Sequence, residues 1–409
     1  MFWNDYDAIL KEAGGAAYLV DFAVFKKNIN ALNNAFIDNG VNISIGYSYK
    51  TNYLPTLCKI AHDEGLLAEV VSGEELEIAI RLGVQGNNII FNGPVKSDEE
   101  LHRAFSIGAL VNVDSLCEAE RVVDIVSRTK LSARIGIRCN LAFPWRNTTS
   151  RFGISDENNE LNKVFNLLDA SEYIEVEGLH CHSSYNRSAE SYADRVSKLA
   201  ELAHQLFKGR PPKFLDIGGG ICGPIPEELK GQMSISPPTY NEYAEAIGEA
   251  LFNYYPKEVA PRLIIEPGVG LVANVMEYIC QVKSIKSVLK RKIAVVNGTV
   301  QDIKIVPNEI NLPIDVIRKQ DLEEKANEYE SIDISGFTCL EHDNLYYAYQ
   351  GKLNVDDIVK FSNIGAYSLV VSPNFIKTSP AVVSIDESGS LNLLKRKQKI
   401  EEFLNVFYF

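Results

Sequence analysis

Short apolar runs rich in β-branched residues recur along the first two thirds of the chain: Ile43–Tyr49, Leu67–Val71, Asn88–Phe91, Leu110–Val113, Ala133–Arg138, Glu175–His180, Phe214–Ile217 and Leu263–Ile265. Between them lie segments such as Glu74–Leu82, Asp98–Phe105 and Ser115–Ser127, in which charged and apolar residues alternate at helical spacing. Several open on a capping signature; Ser97 and Ser115 are followed three positions later by Glu100 and Glu118. Alternating strands and helices predict a parallel sheet. Eight such units over roughly 230 residues predict an α/β fold of the (β/α)8 TIM-barrel type. A doubly wound sheet is the alternative, but no Gly-x-Gly-x-x-Gly follows the first strand.

The pattern changes near residue 275. Val275–Val288, Lys292–Val296, Ile303–Val306, Ile332–Thr338, Ile358–Phe361 and Ala381–Ile385 read as strands with few helices between them, predicting a C-terminal β-domain. The expected boundaries are 22–274 for the barrel and 275–409 for the β-domain, to which residues 1–21 are added because Tyr18–Val20 reads as one of its strands. A chain of 409 residues suits two cores better than one.

The eight apolar runs lead into Lys50, Ser72, Asn92, Asp114, Asn140, His182, Gly218-Gly219-Gly220 and Glu266. Apolar strands that each finish on a polar or glycine position suggest a shared mouth, and a barrel places its site at the C-terminal ends of its strands. A lysine there, desolvated, is a candidate Schiff-base nucleophile. Taken alone, Lys50 reads more readily as a surface lysine.

Its setting, Tyr47-Ser48-Tyr49-Lys50-Thr51-Asn52, resembles the cofactor-lysine motif of the fold-type III pyridoxal-phosphate decarboxylases, the group of ornithine and diaminopimelate decarboxylases, with alanine racemase as a distant relative. The resemblance continues in order through Val70–Leu76, Ser150-Arg151-Phe152-Gly153-Ile154, Gly178-Leu179-His180-Cys181-His182, Leu215–Gly220, Glu266-Pro267-Gly268, Cys339 with Asp343, and Gly365-Ala366-Tyr367. It implies pyridoxal 5'-phosphate as cofactor and decarboxylation of an amino acid. Lys50 is then the covalent anchor, Gly218, Gly219 and Gly220 the phosphate cradle, and Glu266 the partner of the pyridine nitrogen. His182 becomes the ring-stacking residue and Arg138 an arginine near the cofactor, with a structural salt bridge as its alternative. In the family the Cys339–Asp343 segment reaches into the neighbouring subunit's site. Cys339 is thus the expected proton donor, Asp343 lines the site, Tyr367 contacts the phosphate, and the protein is a homodimer. His180 and His182 share a strand face, which leaves a metal site as a weaker reading.

The departures are specific. Glu266-Pro267-Gly268 is followed by Val269 instead of the family's phosphate-binding arginine, and His182 by Ser183-Ser184-Tyr185, so Ser184 is expected to supply the lost contact. Leu340 stands where diaminopimelate decarboxylases carry a glutamate. Leu312, before Pro313, stands where they carry an arginine for the distal carboxylate. A buried carboxylate without a partner is costly. These changes resemble a siderophore-pathway branch acting on larger conjugates such as citryl-diaminopropionate. Ser184, Tyr185, Arg187 and the loop Phe143-Pro144-Trp145-Arg146-Asn147 are candidate contacts for such a substrate, or ordinary surface packing. The alternatives are a basic amino acid (ornithine, lysine or a D-isomer) or diaminopimelate, then a racemase, then a non-catalytic regulator or a purely structural barrel.

Composition adds little that conflicts. A net charge of −13 argues against nucleic-acid or anionic-membrane partners. Seven cysteines, an odd number without a Cys-x-x-Cys pair, fit a reducing compartment. Met1–Asp5 shows no signal-peptide pattern and no apolar run is long enough to span a bilayer, so a cytoplasmic location is expected.

Overall fold

The computed structural model describes residues 2–145, 149–233, 236–304, 309–319, 327–386 and 389–408. The chain divides into two compact units, one of Lys26–Gly223 with Pro237–Leu271, the other of Met1–Phe25, Pro224–Ser236 and Val272–Phe409.

The first unit is a closed barrel of eight parallel strands: β1 (Ile43–Ser48), β2 (Leu67–Val70), β3 (Ile89–Phe91), β4 (Leu110–Val113), β5 (Ala133–Asn140), β6 (Ile174–His180), β7 (Phe214–Asp216) and β8 (Arg262–Ile265). Closure comes from the pairing of β8 with β1, where Leu263 faces Ile43. The strands differ from the predicted runs only at their ends. Helices Pro55–Asp63, Gly73–Arg81, Asp98–Ser106, Leu116–Thr129, Glu160–Asp169, Ala189–Leu206 and Tyr240–Tyr254 link successive strands. Ile90, Leu110, Phe214 and Ile264 cluster as a buried apolar group, each worth about 1.5–3 kcal/mol of burial. Gly136 is required for packing: a Cβ there would lie 1.9 Å from Asn112 Oδ1.

The capping signatures act as read at one site and differently at the other. Ser97 and Glu100 form a reciprocal box, Glu100 N–H to Ser97 Oγ at 3.1 Å and Ser97 N–H to Glu100 Oε2 at 2.6 Å. Ser115 Oγ accepts from Glu118 N–H, but the Glu118 carboxylate accepts from Asp114 N–H at 2.7 Å and pairs with Lys96 at 2.8 Å.

The second unit is built on a nine-stranded sheet in the order Asn344–Lys352, Glu328–Ser335, Arg291–Val296, Met276–Val288, Ala17–Val20, Ala381–Ile385, Leu391–Lys395, with Ile358–Phe361 joining Met276–Val288 to Ile314–Ile317. Ala17–Val20 is a strand of this sheet, antiparallel to Met276–Ile279. Helix Trp3–Ala13 packs Tyr6, Ile9, Leu10 and Ala13 against Ala17, Ile279 and Ile358. Two expectations need correction. Residues 300–302 form a 3-10 turn and Ile303 and Lys304 are not in a strand, while 305 and 306 lie outside the described residues. The strands Ile314–Ile317, Asn344–Lys352 and Leu391–Lys395 were not legible. Asn344–Lys352 has irregular register and takes Ala348 and Gly351 to positive φ, which breaks simple alternation. No helix of the described residues is long and apolar enough to cross a membrane.

Candidate active site

Lys50 sits in a 3-10 turn, Tyr49–Thr51, directly after β1. The motif residues around it build that turn. The buried Tyr47 hydroxyl donates to Asn52 C=O at 2.7 Å, and Asn52 Oδ1 accepts from Leu54 N–H at 3.1 Å. Lys50 Nζ pairs with Glu69, whose side chain is fully buried on β2. Ser48 Oγ donates to the same Glu69 oxygen at 2.6 Å, and Asn92 Nδ2 donates to the other at 2.9 Å. Asn92 Nδ2 also reaches Glu266 Oε1 at 2.6 Å, and its Oδ1 accepts from Asn112 at 2.7 Å. A connected polar network thus links the ends of β1, β2, β3, β4 and β8.

Glu69 was not singled out from sequence. The signal was present: a carboxylate within the apolar run Leu67-Ala68-Glu69-Val70-Val71 must be paired if the strand is buried. Asn112, inside Leu110-Val111-Asn112-Val113, carries the same signal.

Glu266 is 3% exposed. Burial alone would raise its carboxyl, but His180 and Lys50 draw it well below the usual carboxylate range. Its neighbour Asp216 is pushed well above that range by burial and by the Glu266 charge. His180 Nε2 lies 3.5 Å from Glu266 Oε2, an electrostatic contact rather than a hydrogen bond. His180, Asp216 and Glu266 each bring one ligand atom within 4.8 Å of the others, a geometry that could take a cation. The pairing of two histidines considered from sequence is therefore not the one assembled here.

His182 Nδ1 accepts from Gly219 N–H at 3.1 Å, which places the ring proton on Nε2, facing Ser184 Oγ at 3.0 Å. Burial, with the Arg195 charge beside it, lowers the ring from 6.5 to about 3. The imidazole is therefore neutral and held in one tautomer. Ser184 Oγ accepts this proton and keeps its own for another acceptor.

The glycine triplet needs its glycines. Gly218 has φ +69, with Cys181 C=O 2.6 Å from any added Cβ; at Gly219 the Glu266 carbonyl would be 2.3 Å away. Gly218 N–H is committed to Asp216 Oδ1 at 2.9 Å and Gly219 N–H to His182, leaving that of Gly220. Arg138 follows its salt-bridge reading, with Nη1 3.0 Å from Asp114 Oδ1 and its guanidinium 4.7 Å above the Phe152 ring. A cavity of about 270 Å3 opens beside His182, lined by Ser150, Arg151, Phe152, Ser184 and Tyr185. Trp145 stacks on Phe143 and donates to Asp194 at 2.7 Å; Arg146 and Asn147 lie outside the described residues.

The remaining candidates belong to the β unit. Cys339 is exposed on the loop after Glu328–Ser335. Asp343 is 3% exposed and accepts from Thr299 Oγ1 (3.0 Å), Val300 N–H (2.8 Å), Thr338 N–H (3.0 Å) and Thr338 Oγ1 (2.6 Å). Four donors saturate a carboxylate. In this unit it braces the Cys339 loop through Thr338. Tyr367 is half-buried with φ +55.

These residues meet the needs of pyridoxal phosphate: a lysine for its aldehyde, a buried carboxylate for its ring nitrogen, a neutral flat ring to cover it, and the Gly220 amide for its phosphate. The known proteins agree. Residues 23–273 match the family model described as pyridoxal-dependent decarboxylase, pyridoxal binding domain. Diaminopimelate decarboxylase of Aquifex aeolicus is 27% identical over 400 residues, covering 95% of this chain and 90% of its own. That of Methanocaldococcus jannaschii is 26% identical over 421 residues, covering 97% and 92%. In structure, diaminopimelate decarboxylase from M. jannaschii in complex with L-lysine superposes with a TM-score of 0.87 at 23% identity, covering 98% of this chain and 94% of its own. Lysine/ornithine decarboxylase from Vibrio vulnificus complexed with cadaverine gives 0.74 at 20%, covering 93% and 98%. Joined to a lysine, a buried glutamate and a glycine cradle at the strand ends of one barrel, the match over residues 23–273 shows that the chain belongs to the pyridoxal-dependent decarboxylases.

Proposed function

We propose that this amino acid decarboxylase acts on a free diamino acid of the diaminopimelate, lysine and ornithine series, anchored through Lys50. The observation that carries the reading is the Lys50–Glu69–Asn92–Glu266 network at the mouth of the barrel. Bound pyridoxal phosphate supplies the electron sink that lets a carboxylate leave as carbon dioxide.

The protein's residues do the rest. Glu69 and Ser48 fix the Lys50 amine at the rim. Glu266, whose carboxyl His180 and Lys50 hold low, keeps a ring nitrogen protonated. His182, neutral and locked by Gly219, covers a ring face and keeps water away. Cys339, exposed on a loop braced by Asp343, is the proposed proton donor to the carbon that loses its carboxylate. As in the family, we place it in the partner subunit's site of a homodimer, with Tyr367 on the phosphate.

The relatives named diaminopimelate decarboxylase put that substrate first. Leu340 and Leu312 favour a second reading, a diamino acid whose distal end carries no carboxylate. The siderophore-conjugate expectation finds no support among the relatives above. The test has two parts. Borohydride reduction followed by peptide mapping should label Lys50; a label elsewhere overturns the site. Carbon dioxide release and product mass should then be followed with diaminopimelate, lysine, ornithine and a citryl-diaminopropionate conjugate. Turnover of the conjugate alone overturns the substrate assignment.

A further inference from the structure

Among the described residues Arg195 is the largest fully buried side chain, at 0% exposure. It projects from helix Ala189–Leu206 and, among the described residues, has no carboxylate at ion-pair distance. Its guanidinium donates to carbonyls: Nη1 to Ile217 and Gly219, both at 3.3 Å, and Nη2 to Ser183 and Asn186, both at 2.9 Å. The Tyr192 ring lies 3.9 Å away, and its hydroxyl donates to Gly219 C=O at 2.9 Å. Arg195 Nε has no partner among the described residues. A buried cation is expensive without an anion, and carbonyl dipoles offset that only in part.

The four carbonyls belong to the two loops that form the candidate phosphate cradle, the one after β7 and the one after β6. A trans peptide directs its N–H opposite to its C=O. The peptides held by Arg195 at Gly219 and Ser183 therefore turn the N–H groups of Gly220 and Ser184 the other way. Neither has a partner among the described residues. Anchoring a carbonyl on a cation also polarises the N–H at its far end. The family's phosphate-binding arginine is meanwhile Val269 in this chain.

We propose that Arg195, acting from behind the cradle, supplies the positive charge for the cofactor's phosphate that Val269 cannot. It is a positioning residue, working through the Gly219–Gly220 and Ser183–Ser184 peptides. The inference rests on the cofactor assignment; a wild-type chain that binds neither pyridoxal phosphate nor pyridoxal would fail that assignment before this one.

The test compares the affinities of the apoprotein for pyridoxal phosphate and for pyridoxal, which lacks the phosphate, by absorbance titration. In Arg195→Gln the preference for the phosphorylated form should fall roughly tenfold or more, the scale of one charge-assisted contact. Arg195→Lys should keep it within about threefold, since the charge stays. Adding Val269→Arg to Arg195→Gln should restore it. Equal weakening of both compounds in Arg195→Gln would show a brace for the fold and overturn the proposal, as would a double variant with no recovery. Should Arg195→Gln not fold, the wild type decides by phosphorus NMR of the bound cofactor. A phosphate beside this charge stays dianionic well below its free pKa of about 6, whereas titration near that value overturns the idea.

Discussion

His182 titrates far from its ordinary range, and this has a measurable consequence for stability. Burial and the Arg195 guanidinium lower its pKa from 6.5 to about 3. Unfolding releases the ring to water, where it binds a proton below pH 6.5. The folded chain binds none until about pH 3. Between those values the unfolded state holds the extra proton, so stability rises with pH and is lost as pH falls. Each pH unit is worth about 1.4 kcal/mol. At about pH 4 the full effect is about 3 kcal/mol, and the part of the ring still open to solvent lowers this to about 2 kcal/mol. The perturbation is His182→Asn, whose side-chain oxygen can still accept from Gly219 N–H but does not titrate. Urea unfolding of both proteins, at steps from pH 7 to pH 4, gives the difference in stability at each step. The wild type should lose about 2 kcal/mol more than the variant over that range. A difference that does not change with pH would refute both the neutral imidazole and the tautomer derived from it, and NMR of the ring protons would show the same failure as a titration near 6.5.

Two further outcomes follow from the barrel's mouth. Lys96, fully buried, is paired with Glu118 at 2.8 Å and donates to Gly93 C=O at 2.6 Å; Lys96→Met strands the Glu118 charge and should cost about 3–5 kcal/mol in urea unfolding, whereas adding Glu118→Gln should recover part of it. Gly219→Ala would bring a methyl to 2.3 Å from Glu266 C=O. It should weaken pyridoxal phosphate binding by roughly a hundredfold through the displaced cradle, seen as lost visible absorbance at a fixed cofactor concentration.

What the sequence determined by itself was the barrel and the identity of most groups at its mouth. Eight buried strands must be nearly continuous apolar runs, because helices cover them outside and side chains fill them inside, so their number and order are written in one dimension. Lys50, His182, the glycine triplet and Glu266 were legible because they end those runs. The β unit was less legible, since irregular strands such as Asn344–Lys352 lose the two-residue period that marks a strand. The partnerships were decided only by the tertiary structure. Glu69 and Asn92 lie 23 residues apart and Asn92 and Glu266 174 apart, yet hydrogen bonds join them. Arg195, inside an ordinary helical segment, carries no sequence mark of its position behind the cradle. Asp343 likewise takes two of its four donors from Thr299 and Val300, 44 and 43 positions away. Residue type and spacing say which groups can ionise; burial and the nearest opposite charge say which do, and those arise only when distant strands close into one cylinder.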